Sequence, residues 1–403
     1  MQFQARTGGA FGASLFILGT CIGVGVITIP IASGIGGFIP ALMMNLIVGL
    51  ILMATALLYA EVILALPEGT NLISAVDTLI GPLIRSISGF CIIFLFYALL
   101  SAYFYEGGKI LSATLNDYLN LQLSNWLGIL FIACFFGVFL FLGMWISNKL
   151  NFILVFGLLF SFIWLFVAGS QTVEQQHLFR LNWLLILFAA PTLFLTYSFA
   201  IIVPSCVTFV KRDPQKIVWA IIIGVTIPIL LSCLWQALMI GSLSEGTLWE
   251  AYESDNQIAT SLKIFGKISW LRLPIQFFIF FSVTTSILGN SIGYTDVLSD
   301  GFSIPPSERI GKKRFYIVML AFLPPLIFAL IQPDVFVATI QFTSGFPEAF
   351  LSGIIPVWLV WTLRYHKKII SPRLLPGGKP ALITILLFVF FIMYLLGLET
   401  IKE

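Results

Sequence analysis

The stretch Gly19-Thr20-Cys21-Ile22-Gly23-Val24-Gly25-Val26-Ile27-Thr28-Ile29-Pro30 decides how this chain is read. It sits inside an apolar run from about Ala10 to Pro40. Such a run is long enough to cross a bilayer as one helix, because a hydrocarbon core of about 30 Å takes roughly 20 residues. Yet it carries Gly19, Gly23 and Gly25, then β-branched residues, then Pro30. Each interior glycine weakens a helix by roughly 1 kcal/mol relative to alanine. The pattern predicts a helix interrupted near its centre.

The rest of the chain is of the same kind. Of 403 residues, 59% are hydrophobic and only 10% charged, against about 25% charged in soluble domains. The composition predicts an all-α polytopic membrane protein. A net charge of +3 gives no reason to expect a nucleic acid partner. Cys21, Cys91, Cys134, Cys206 and Cys233 all lie in apolar runs without CxxC or Cys/His spacing, so neither a disulfide nor a metal site is expected, and no cofactor. The first apolar run has no basic leader and is too long for a cleaved signal.

Eleven runs qualify as spans: 10–36, 39–66, 86–111, 124–144, 149–169, 183–209, 215–243, 270–298, 315–332, 336–362 and 380–398. They form one transmembrane domain over 1–403. Segment 67–82 reads as a short interfacial helix, and the acidic loop 244–269 as the longest connection. With the N-terminus in the cytoplasm, the alternation puts 15 of the 21 Lys and Arg on the inner side, as the positive-inside rule asks. An odd count puts the C-terminus outside.

Irregular backbone at membrane depth survives only where it lines a cavity or is buried in protein. An interrupted span is also the usual pointer to a transporter's binding site. Freed N–H groups around Val24, Gly25 and Val26 can hold an anion such as a carboxylate, and freed carbonyls near Cys21 can hold an ammonium. Glycine at 23 and 25 would let a ligand approach. Gly19-x-x-x-Gly23 is equally a motif for close helix contact, and the segment alone does not separate the two. Span six favours the first reading, because Pro191 and Pro204 bracket Thr196-Tyr197-Ser198-Phe199. Spans one and six would start two units of five helices, 10–169 and 183–362, related by inversion. Span 380–398 then stands outside the repeat.

Together these residues resemble the hydroxy/aromatic amino acid permease family, in particular its bacterial tyrosine and tryptophan permeases. The likeness rests on Gly19 to Gly25 with Pro30, Glu61-Val62, Tyr97-Ala98, Ala102-Tyr103, Pro204-Ser205, Thr285-Ser286, Asp296 and Asp300. The resemblance implies a leucine-transporter-like fold with a five-plus-five inverted repeat. It also implies proton-coupled import of an aromatic amino acid across the bacterial inner membrane. The chain departs from the family in span six, where a Phe-Gly-Phe-His-like run is replaced by Tyr197-Ser198-Phe199-Ala200.

The candidate substrate site therefore comprises Thr20, Cys21, Gly23, Val24, Gly25, Val26, Tyr97, Tyr103, Phe194, Thr196, Tyr197, Ser198 and Phe199, with helix packing as the alternative for each aromatic. Thr285 and Ser286 could meet first-span carbonyls around a sodium ion, or bond back to their own helix. Ionisable residues within spans are functional candidates. Glu61 either couples an ion or snorkels from the inner end of span two. Glu106 and Lys109 are spaced to pair. Glu348, near the middle of span ten, must be paired or protonated. His177 and His366 lie in loops without paired acids, so no catalytic residue and no enzyme is expected. No Arg ladder or ring-forming filter points to a channel, which stays the alternative of another class.

Overall fold

The computed structural model describes residues 8–197, 199–253, 268–331 and 345–402. Among them the regular elements are helices. Ten are long and apolar enough to span, and one bent pair brings the total to eleven. Span one is Ala10–Cys21 with Val24–Gly34, bent by 51°. Spans two to five are Phe38–Ala65, Pro82–Leu119, Asn125–Leu142 and Met144–Gly169. Span six is Leu185–Phe209 in four short pieces. Spans seven to nine are Pro214–Ser242, Ser269–Gly301 and Gly311–Ile331. Span ten is Gly345–His366 and span eleven Gly378–Leu398. Span three runs eight residues beyond its expected end, to Leu119, because polar Ser112, Asn116 and Asp117 lower the hydropathy there without stopping the helix. Residues 336–344 of the expected tenth span and 254–267 of the acidic loop lie outside the described residues.

Lipid tails are as apolar as leucine, so these helices associate by close packing and interhelical hydrogen bonds rather than by hydrophobic burial. Spans six, eight and ten are 67–69% buried along their most apolar windows, against 33% for spans four, nine and eleven. The first group is therefore the centre and the second the rim. Span eight packs against spans one, three and five, and span one against spans seven and eight. Span seven adds polar ties to the second half of span one: Trp235 Nε1 donates to the Ile27 carbonyl at 3.4 Å and Gln236 Nε2 to Ser33 Oγ at 2.9 Å.

Helix ends carry carbonyls that need donors, and arginines supply several of them. Arg212 donates to the carbonyls of Ile63, Leu64 and Leu66 at the end of span two. Arg314 does so to Leu140 in span four, and Arg180 to Ile240 and Leu243 at the end of span seven. Asp213 caps the start of span seven, accepting from the N–H groups of Gln215 and Lys216. Its hydrogen bonds with the Lys216 side chain and backbone hold its carboxyl below the usual range. The expected interfacial segment is the helix Leu72–Leu79. Asn71 caps it, and Asp300 of span eight fastens it by accepting from Ser74 N at 2.8 Å and Ser74 Oγ at 2.5 Å.

Candidate functional site

The first half of span one stops at Cys21. Ile22 (φ −89°, ψ 75°) and Gly23 (φ −109°, ψ −157°) leave the helical region, and a new half-helix begins at Val24. Gly23 has no side chain to cap that start. The half-helix thus presents the positive end of its dipole to the break. The Val26 N–H, one of three expected to meet a carboxylate, instead donates to the Gly23 carbonyl at 3.1 Å.

Span six breaks by different chemistry. Pro191 opens the half-helix Ala190–Thr196 and Pro204 opens Val203–Phe209. A proline has no N–H to give and collides with the carbonyl four residues back, so Pro204 keeps Ala200 from continuing a helix. Between the halves, Tyr197 and Phe199 are non-helical and Ala200–Ile202 forms one tight turn. Ser198 lies outside the described residues.

The two breaks meet. A Cβ on Gly25 would stand 2.5 Å from Thr196 Oγ1 and 2.9 Å from Thr196 Cα. One on Gly23 would stand 2.6 Å from Ser286 Oγ and 3.4 Å from the Tyr103 hydroxyl. At both glycines an added side chain would therefore meet protein neighbours in this structure. Thr20 sits equally tightly on span eight, where a Cβ on Gly289 would lie 2.0 Å from Thr20 Oγ1. Cys21, Phe194, Thr196 and Phe199, in the two interrupted spans, are all buried.

Ser286 Oγ donates to the Gly19 carbonyl at 3.2 Å and reaches that of Thr20 at 3.5 Å. It thus joins span eight to the last turn before the break. Thr285 does not join it: its hydroxyl bonds back to Phe281 and Ser282 in its own helix. Two aromatic candidates also turn elsewhere. The Tyr97 hydroxyl donates to the Leu320 carbonyl of span nine at 2.9 Å. The Tyr197 hydroxyl donates to Asn45 Oδ1 of span two at 2.6 Å, and Asn45 Nδ2 faces Cys233 Sγ of span seven at 3.3 Å. Tyr197 is thus an anchor of the span-six break.

The carboxylates separate as well. Glu61 does not snorkel: it is fully buried and held by Arg364 through two hydrogen bonds of 2.7 and 2.6 Å. Ser371 Oγ and the Leu374 N–H donate to the same carboxylate. A buried charge survives only when so paired. Lys109 stands over the Tyr105 ring, 5.5 Å from its centroid, and Glu106 is buried in the same span. Glu348 is 1% exposed and lines a small cavity with Ala200 and Ile201, next to the second break. Among the described residues no cluster of His, Cys, Asp and Glu could hold a metal.

Sequence reasoning missed Asn45, Gly289 and Arg364. The first two are small or polar residues in spans, a signal of close packing that could have been followed. Arg364 had been counted only toward topology. Asn151 is a further surprise: a fully buried amide of span five whose Oδ1 would lie 3.1 Å from a Cβ on Gly19.

Comparison with known proteins bears on what this centre serves. The tryptophan/tyrosine permease family model matches residues 6–396. The chain is 27% identical over 391 residues to the tyrosine-specific transport system 2 of Haemophilus influenzae, covering 95% of each chain. It is 26% identical to a tryptophan-specific transport protein of Pseudomonas aeruginosa, over 96% of this chain and 94% of the relative. It is 24% identical to a tyrosine permease of Enterobacter agglomerans, over 90% of each. The members are transport permeases rather than enzymes. This chain belongs to the tryptophan/tyrosine permease family.

Proposed function

We propose that the chain imports an aromatic amino acid, tyrosine first and tryptophan second, across the bacterial inner membrane by proton symport with alternating access. The observation that carries the reading is the junction of two interrupted spans at Gly25 and Thr196. The five-plus-five inverted repeat over 10–169 and 183–362 gives such a junction its place, with spans one and six as counterparts. The relatives' names, which specify tyrosine or tryptophan, support the substrate class.

In this reading the substrate carboxylate takes the N–H groups of Val24 and Gly25, and the ammonium takes carbonyls near Cys21 and Thr196. Tyr103, Phe194 and Phe199 wall the side chain. The N-terminus is cytoplasmic and the C-terminus periplasmic, following the Lys and Arg distribution. Glu348 carries the proton. It is buried in span ten beside the break of span six.

One observation favours a sodium-coupled second reading. The Ser286 hydroxyl and the carbonyls of Gly19 and Thr20 already share one spot, and hard cations take such oxygen ligands. Uptake by purified protein in proteoliposomes separates the two. An inward acid gradient in sodium-free buffer should drive tyrosine accumulation, and unlabelled tryptophan should compete better than leucine. Accumulation that requires sodium and is lost in Ser286→Ala would replace the proton reading by the sodium one. Leucine competing as well as tyrosine would remove the aromatic preference.

A further inference from the structure

Beside the break of span six the packing is incomplete. A cavity of about 20 Å³ is lined by Glu348 and Ser352 of span ten, Ala200 and Ile201 of span six, Phe96 of span three and Leu72 of the interfacial helix. That is room for about one water molecule. Two irregular backbones border it: the tight turn Ala200–Ile202 and the π-helical stretch Ala349–Ile354. Widened helical turns of this kind recur at functional sites. Among the described residues of the lining, Glu348 alone titrates, and Ser352 supplies a hydroxyl. Leu72 is the first residue of the helix that Asn71 caps and Asp300 fastens to span eight. The lining thus runs from the buried carboxyl to the helix that joins spans two and three, which the Lys and Arg distribution assigns to the cytoplasmic side.

We infer that this cavity is the station where Glu348 hands its proton to the cytoplasmic side, and that the small side chain of Ala200 keeps it open. The inference rests on the proton-symport reading and adds the route. The Glu348 O–H bond breaks, the proton passes to a water in the cavity, and the resulting hydronium gives it up to cytoplasmic solvent. The carboxylate left behind is reprotonated from the periplasmic side in the next cycle, so one proton enters per turn.

The test uses the full-length protein in proteoliposomes with labelled tyrosine. Ala200→Leu fills the cavity from span six. It should lower accumulation under an inward acid gradient by at least about tenfold, with counterflow exchange within about twofold of the parent. Ala200→Ser should accumulate normally. Ser352→Val narrows the cavity from the other side, should uncouple in the same sense, and serves if Ala200→Leu does not fold. Glu348→Gln tells the two levels apart. If it accumulates normally, the proton reading through Glu348 falls. If it uncouples while Ala200→Leu and Ser352→Val accumulate normally, the reading stands and the route is wrong. Loss of counterflow in both cavity variants would make the cavity part of the substrate path or the fold, and would equally overturn the route.

Discussion

The two broken spans reach the same outcome from opposite materials. Span one breaks on glycines, and what holds its break comes from outside: Thr196, Ser286 and the Tyr103 hydroxyl fill the positions where side chains would be. Span six breaks between prolines, and its own side chains reach outward to hold it. Tyr197 reaches Asn45 of span two, and Ser205 reaches Asp296 of span eight at 2.5 Å. The first break is a receiving surface and the second is a tethered strap. Changes at the first should therefore act by collision and be large, and changes at the second by lost hydrogen bonds and be moderate.

The largest effect is expected at the point of contact. Gly25→Leu puts a side chain into Thr196, backbone included. Overpacking alone costs about 1–3 kcal/mol, and backbone cannot step aside as a flexible side chain can. Substrate binding should fall by about a hundredfold or more, with insertion retained. Gly25→Ala should be partly rescued by Thr196→Gly, which removes two of the three atoms in the way. A Gly25→Leu protein that inserts and binds with unchanged affinity would break the comparison at its root.

Gly23→Ala should be milder. Its nearest obstacle is the Ser286 hydroxyl at 2.6 Å, the end of a side chain that can rotate. A loss of about tenfold in affinity, roughly 1.4 kcal/mol, is expected, and Ser286→Ala should return part of it. If Ser286→Ala makes Gly23→Ala worse, the hydroxyl supports the substrate or an ion rather than merely occupying space.

On the strap, Tyr197→Phe removes one hydrogen bond and leaves the Asn45 oxygen buried. The expected cost is about 1–3 kcal/mol of stability, read as a lower melting temperature in detergent. Relative affinities for tyrosine and alanine should stay unchanged. Selective weakening of the aromatic substrate would instead return Tyr197 to the pocket wall. Phe199→Ala is the counterpart: it should weaken aromatic substrates more than alanine, by about 1–3 kcal/mol for a buried ring.

The smallest effect belongs to Pro204→Ala. It restores an N–H that can bond the Ala200 carbonyl and draws the turn toward regular helix, a bias of about 1 kcal/mol. Maximal uptake should fall a few-fold with KM nearly constant. A KM change larger than the rate change would mean that the turn touches substrate.

Legibility in the sequence followed the range of the physics. Spans were readable because hydropathy is summed over consecutive residues, and a membrane allows few alternatives to helix. Both breaks were readable because glycine and proline act on their own backbone. The family resemblance rested on these same local features. Residues 198, 254–267 and 332–344 had expectations that fall outside the described residues.

What each break touches was decided only by tertiary structure. Nothing around Tyr197 announces that its hydroxyl goes to Asn45, 152 residues away, nor that Tyr97 goes to Leu320. The sequence left Glu61 between an ion-coupling role and a reach for the membrane surface, and it finds Arg364 across 303 residues of chain. Gly25 was legible as a place without a side chain, but not what would approach it. A side chain's partner depends on how distant spans pack, and in lipid that packing is set by shape and by hydrogen-bond satisfaction rather than by hydrophobicity. The sequence by itself determined a membrane protein with two interrupted helices. The tertiary structure decided that the interruptions face each other, and which polar groups hold them there.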